Sequence, residues 1–365
     1  MSEQDAINSP SYDIQWELPD LVAGVMEISD RGYEGPFLVF RGALRLPSDQ
    51  AFRIIREKTA PFGLLVFLAR DKRGTALKFA PARTERKPGR PLVHLLLFLA
   101  TVVSTLFVGV AFQEIGAQEL MARPLLLLRG WPFSLTLLSI LLCHEFSHYL
   151  VSLRHGVKSS LPYFIPFPNL FGTMGALIVS RSPFPNRKSL FDVGIAGPIA
   201  SFVLSAAALF VGLSELKLAE IPPGPAAIYF GDSLLTKFIF GLRFPHLAPG
   251  QDIMIGAVSF AGWVGLMVTA INLFPIGQLD GGHIAYALFG AKHPLIARIF
   301  IAILVLLGIV FWEGWLVWVL VILLMGIRHP PPLDDVTPLD PRRRLLGWLV
   351  FLILLLSFVP APITG

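Results

Sequence analysis

His144-Glu145-Phe146-Ser147-His148 sets two imidazoles four residues apart, with a carboxylate directly after the first. On a helix of 3.6 residues per turn, His144 and His148 stack on one face, where they can hold one Zn²⁺. Glu145 lies beside that face and can act as general base toward a metal-activated water. A chance H-E-x-x-H is the bland reading, and this composition should yield one in well under about one chain in a hundred. The surrounding run is apolar. Burying one Glu and two His in such a run is costly, which makes function the default.

Zinc held this way wants a third protein ligand. The best candidate lies in Asn272-Leu273-Phe274-Pro275-Ile276-Gly277-Gln278-Leu279-Asp280-Gly281-Gly282-His283. Pro275, Gly277 and the Gly281-Gly282 pair break a helix where Asp280 appears, letting its carboxylate turn inward. The competing reading is an ordinary Asp-Gly-Gly turn at a membrane surface. His283 could support a metal ligand through its ring or could simply begin a helix. His94, His155, His246, His293 and His329 are scattered and are not read as ligands. Cys143 points about 100° from His144 on a helix and reads as buried packing.

The elements that must position these residues belong to a membrane protein. Of 365 residues, 54% are hydrophobic and only 15% charged, against roughly 25% charged in soluble proteins. A globular interior cannot hide that much apolar surface, so a soluble enzyme, a disordered regulator and a disulfide-rich secreted domain are excluded. The net charge of +5 fits positive-inside loops rather than a nucleic-acid partner. Apolar runs near 92–112, 131–153, 190–213, 253–275, 295–311, 314–327 and 344–360 predict about six to seven transmembrane helices. Trp312-Glu313-Gly314-Trp315 reads as a turn between two short helices, with one long tilted helix as the alternative. Trp131, Trp312, Trp315, Trp318 and Trp348 suit interfacial aromatic belts.

Residues 1–90 read as a small cytoplasmic α+β domain ending in a basic linker. No signal peptide is expected at the polar start. After a loose beginning come a strand at 36–46, a helix at 48–58, a strand at 62–68 and a strand at 75–79. Residues 91–290 form the core. Residues 291–365 supply C-terminal helices around a rigid proline-rich cytoplasmic loop, 328–340. Within the core, Leu161 to Ser180 is apolar but broken by Pro162, Pro166, Pro168, Gly172 and Gly175. Non-helical backbone survives at membrane depth only where protein or water satisfies it, which predicts a re-entrant β-hairpin lining an interior site. A loop lying at the interface is the alternative. Residues 214–250 read as an extramembrane loop too short for an inserted domain.

These motifs resemble the site-2 proteases, intramembrane zinc metalloproteases. The resemblance rests on His144-Glu145-x-x-His148, on the N-x-x-P-x-x-x-x-D-G pattern from Asn272 to Gly281, on Phe171 to Ala176, and on Asp192 to Pro198. The tail from Arg328 to Asp340 is similar to that of a subgroup that lacks PDZ domains and includes chloroplast members. The resemblance implies zinc held by His144, His148 and Asp280, with Glu145 as catalytic base. It also implies substrate contacts at Gly172, Thr173, Gly175 and Asn272. Ser201 stands where some members carry an Asn.

The function expected is therefore hydrolysis of peptide bonds within or near transmembrane segments of single-span membrane proteins, in a lipid bilayer. A membrane metal or ion transporter is the alternative, since intramembrane His and acid residues can also bind cargo. Basic clusters place the N-terminus in the cytoplasm, most simply of a prokaryotic plasma membrane. Substrate identity and oligomeric state are not written in the sequence.

Overall fold

A computed structural model describes residues 14–82, 89–113, 115–220 and 229–364. Most of the basic linker (83–88) and Pro223 lie outside the described residues. Contacts divide the chain into two units, the first grouping the part before Pro88 with Arg181–Leu190 and Pro330–Asp340.

In the first unit, α1 (Ile14–Ala23) leads into β1 (Met26–Glu34) and β2 (Phe37–Leu44), followed by α2 (Ser48–Thr59), β3 (Leu64–Asp71) and β4 (Gly74–Pro81). The strands form one antiparallel sheet in the order β1-β2-β4-β3. Alternation along β3 buries Leu64, Val66 and Leu68, as a one-sided sheet requires. The helix α2 covers it with Ala51, Phe52 and Ile55. Arg41 is almost fully buried beneath Asp30, Glu34 and Asp71, all within ion-pair reach.

The strand β3 is an edge, and edges invite pairing. Here residues 333–335 occupy it. Leu68 N–H donates to the Leu333 carbonyl at 2.7 Å, and Asp335 N–H donates to the Leu68 carbonyl at 2.9 Å. On the other side of that segment, Leu333 and Asp334 N–H donate to the carbonyls of Phe184 and Pro185. Arg187 pairs with Asp335 at 2.9 Å. The proline-rich stretch read as a rigid cytoplasmic loop is thus an added edge of this sheet, with Leu333 in its core.

The second unit is mostly helical: α3 (Pro91–Val110), α4 (Ala117–Ala122), α5 (Trp131–Arg154), β5 (Tyr163–Pro166), β6 (Thr173–Leu177), α6 (Arg187–Val211, its first turn in the other unit), β7 (Lys217–Glu220), β8 (Tyr229–Phe230), α7 (Leu234–Arg243), β9 (Gln251–Met254), α8 (Ala257–Asn272), α9 (Asp280–Phe289), α10 (His293–Val310), α11 (Gly314–Met325), α12 (Pro341–Ser357) and β10 (Ile363–Thr364). Among the described residues, four helical stretches are long and apolar enough to cross a membrane: Pro91–Gln113, Pro124–Arg154, Arg187–Glu215 and Asp280–Val310. Their outer faces stay apolar in the folded chain. Leu96, Leu99, Val103 and Phe107 on α3, and Leu295, Ile299, Leu306 and Ile309 on α10, are all exposed. Water would penalise such faces, whereas lipid does not.

The run at 253–275 is realised as the 16-residue α8, shorter than a full span and buried on nearly every face. It is a core helix whose Phe260, Trp263 and Val264 cluster with Phe133 and Leu137 of α5. The chain does turn at Phe311–Glu313, between α10 and α11. Trp315 is not an interfacial anchor but a core residue, 2% exposed, its Nε1–H donating to the Pro360 carbonyl at 2.7 Å. The stretch read as an extramembrane loop, 214–250, contains α7, capped by Ser233, and β7, which pairs with β9 just beyond it. A two-pronged Arg343–Asp192 pair, at 2.7 and 2.6 Å, ties α12 to α6, and His155 at the end of α5 reaches the same carboxylate at 3.0 Å.

Candidate metal centre

The helix α5 carries His144 and His148 one turn apart on its buried face, 3% and 5% exposed, with Glu145 buried beside them. Cys143, on the next face, is exposed rather than packed. The chain leaves α8 at Asn272, turns through Pro275 and Gly277, and restarts as α9 on Asp280. That break brings Asp280 across 132 or more residues to the two rings. Its Oδ2 lies 3.1 Å from His144 Nε2 and its Oδ1 lies 3.2 Å from His148 Nε2. The two Nε2 atoms are 3.1 Å apart. Among the described residues, this is the one group of three or more such side chains compact enough to hold a metal ion.

The hydrogen bonds behind the rings fix which nitrogens face inward. His148 Nδ1 is 2.7 Å from the Val193 carbonyl, which can only accept, so Nδ1 carries the proton and Nε2 presents a lone pair. His144 Nδ1 is 3.0 Å from Ser201 Oγ. Ser201 directs its own proton to the Gly197 carbonyl at 3.1 Å, leaving its oxygen to accept from His144. Thr269 Oγ1 on α8 lies 2.8 Å from the same oxygen. Two imidazole nitrogens and a carboxylate thus converge on one point. That donor set fits a divalent cation, with imidazole nitrogen and carboxylate oxygen both suited to zinc.

Two glycines make room. A Cβ on Gly197 of α6 would lie 2.2 Å from His148 Nε2. Gly172, with φ of +73°, sits against α3, where a Cβ would fall 2.7 Å from the Ser104 carbonyl. Ser104 Oγ–H also donates to the Gly172 carbonyl at 2.6 Å. Gly172 is therefore needed for packing of the hairpin itself, whatever else passes nearby. Thr173 turns inward, bonding the Ile165 carbonyl at 2.8 Å and receiving the Gly175 N–H at 2.9 Å. Gly175 has open space at its Cβ position. Asn272 Nδ2 lies 3.4 Å from His144 Nε2, at the centre itself. His283 shares a 2.6 Å hydrogen bond through its Nδ1 with His329 Nε2.

Sequence reasoning missed Val193 and Ser201 as holders of the rings, because each acts through one atom across 45 or 57 residues. Removing that support costs about ten- to a hundredfold in metal affinity where such partners have been mutated. We expect Ser201→Ala to weaken zinc binding within that range, while Ser201→Thr keeps an acceptor and restores most of it. Competition against a chromophoric chelator measures this. Wild-type affinity in Ser201→Ala would show that His144 is oriented some other way.

A buried two-histidine, one-carboxylate centre inside an apolar helical unit defines a metal-dependent membrane protein. Residues 132–312 match the model of Peptidase family M50, so that stretch carries a domain of this family. It is also 32% identical over 324 residues to the Arabidopsis thaliana protein named "Probable zinc metalloprotease EGY1, chloroplastic", covering 80% of this chain and 58% of that protein. "Probable zinc metalloprotease EGY2, chloroplastic" from the same plant is 32% identical over 241 residues, covering 65% and 43%. "Probable zinc metallopeptidase EGY3, chloroplastic" is 29% identical over 240 residues, covering 61% and 41%. The chain spans about half the length of these relatives.

Proposed function

We propose that this chain is an intramembrane zinc endopeptidase that hydrolyses peptide bonds within or near the membrane span of single-span proteins. The observation that carries this reading is the convergence of His144, His148 and Asp280 on one point, with Glu145 buried next to them in an apolar unit. When bound, zinc supplies Lewis acidity and activates water at neutral pH. The remaining steps belong to the chain. A Glu145 carboxylate oxygen accepts the proton of the attacking water and returns it to the leaving amine. Asn272 offers an amide N–H toward the same point, where it can orient the scissile carbonyl.

A helical substrate hides its own amides and must unwind before it is cut. The antiparallel pair β5–β6 supplies extended backbone next to the centre. The backbone N–H of Ile178, one residue past β6, interacts with the Glu145 carboxylate. A peptide added along β6 would therefore lie beside the general base. In this reading the pair is a re-entrant hairpin, with Gly175 open to the peptide and Thr173 holding the turn. The shorter α8, α11 and α12 complete the six to seven membrane segments. Residues 1–90 are the cytoplasmic domain, 91–290 the protease core and 291–365 the C-terminal helices.

Orientation follows from charge. Arg90, Arg154, Lys158, Arg181 and Arg342 to Arg344 fall on one side of this topology, which the positive-inside rule makes cytoplasmic. Asp280 ends on that side too, so cleavage releases a soluble fragment inward. In a Cys143→Ser background, cysteines at Ser2 and Ser159 should resist an impermeant thiol reagent in intact cells, and one at Pro223 should react. Labelling at Ser159 but not Pro223 would invert the topology. The experiment for the function itself is cleavage of a single-span substrate by purified wild type and Glu145→Gln. Metal flux that survives Glu145→Gln, with no cleavage by wild type, would favour a transporter.

A further inference from the structure

The first unit contains a cavity of about 580 Å³ that the metal centre does not use. It lies where three distant stretches meet: α2, the segment 181–190 and the segment 330–340. Arg53 and Arg56 project into it from α2, three residues apart and hence on one face. Lys188 faces them from the second stretch. None of these three cations forms an ion pair or side-chain hydrogen bond among the described residues. Asn186 and Thr337 add neutral polar groups to the wall.

The lining also holds acids, and their placement decides the sign. Asp334 is buried, and its Oδ1 accepts the Val336 and Thr337 N–H groups at 3.0 Å each. Burial pushes that carboxyl above its ordinary range. The two N–H groups satisfy it locally. Asp49 and Glu57 stand on α2, one turn before and after Arg53. They temper the cations without cancelling three of them.

We propose that this cavity binds a phosphate monoester group through Arg53, Arg56 and Lys188, with Asn186 and Thr337 orienting it. Two guanidinium forks and an ammonium around one concavity suit a compact dianion with three acceptor oxygens, and the volume is that of a small-molecule site. The group can come from a soluble phosphorylated metabolite or from a phosphatidic-acid-type headgroup; both present the same chemistry.

The test uses the full-length protein in neutral detergent, with radiolabelled inorganic phosphate, glycerol 3-phosphate and a short-chain phosphatidic acid as probes. Saturable binding of about one equivalent per chain is expected, at constant ionic strength. Tighter binding of glycerol 3-phosphate assigns a soluble source, and tighter binding of phosphatidic acid a lipid source. The double variant Arg53→Ala/Arg56→Ala, and Lys188→Ala separately, should weaken binding about tenfold or more with zinc content unchanged. Asp49→Asn/Glu57→Gln should strengthen it about two- to fivefold, a gain that misfolding cannot produce. Absence of saturable binding for all three probes would overturn the proposal. So would equal affinity in wild type and the double arginine variant.

Discussion

Glu145→Gln is expected to keep about one zinc per chain and to lower substrate cleavage by about a thousandfold. Removing a positioned general base typically costs about 10²–10⁴ in rate, and among the described residues the only other carboxylate in the site is Asp280, the proposed ligand. The amide is nearly isosteric, so packing and the Ile178 contact of the carboxylate end survive in shape. His148→Ala and Asp280→Ala should behave differently. Each removes one of three converging donors, so zinc and cleavage are lost together. Metal analysis beside a cleavage assay on the same preparations separates the two outcomes. If Glu145→Gln lost zinc as completely as His148→Ala, the division between base and ligands would be wrong. Full cleavage by Asp280→Ala with zinc retained would remove Asp280 from the centre.

The parts of this site that were legible are those where chemistry is local. The i,i+4 histidines and the helix-breaking Pro275 and Gly277 before Asp280 announce themselves within a dozen residues each. The strands β2, β3 and β4 and helix α2 follow from apolar alternation and amphipathic spacing. By contrast, β1 (MEISDRGYE) is mostly exposed and charged, and it pairs with β2 through a bulge at Ile28–Asp30. A strand that buries little beyond Met26 leaves no alternating signature. The same holds for the capture of residues 333–335 by β3, which uses backbone groups that every residue possesses. Length misled at α8. Its apolar run continues from the end of β9 on one side into a buried turn on the other, so hydropathy overstates the helix. Exposed Cys143 and buried Trp315 show the remaining limit: periodicity says which way a side chain points on its helix, not whether lipid or protein stands there.

Gly197→Ala is expected to remove zinc without touching any ligand. The added methyl carbon would sit 2.2 Å from His148 Nε2 and 2.7 Å from both Cδ2 and Cε1 of the same ring. No real carbon tolerates such distances, so either the ring or α6 must move. The ring is held from behind by its 2.7 Å hydrogen bond to the Val193 carbonyl, on the same helix as Gly197. Retreat therefore breaks the bond that aims Nε2 inward. The helix is held by Ser201, which reaches both His144 and Thr269, so its shift would disturb the second histidine as well. Either relaxation spoils a donor set that needs its geometry within a few tenths of an ångström. The expected loss is about a hundredfold or more in zinc affinity, larger than for Ser201→Ala, where one hydrogen bond disappears and no atom intrudes. Gly241→Ala on α7, where a Cβ meets nothing within 4 Å, is the matched control and should change neither zinc content nor cleavage. Competition titration with a chelator reads the effect directly. Zinc bound by Gly197→Ala at wild-type affinity would mean that His148 Nε2 does not face the metal, and that the inward tautomer fixed by Val193 is wrong.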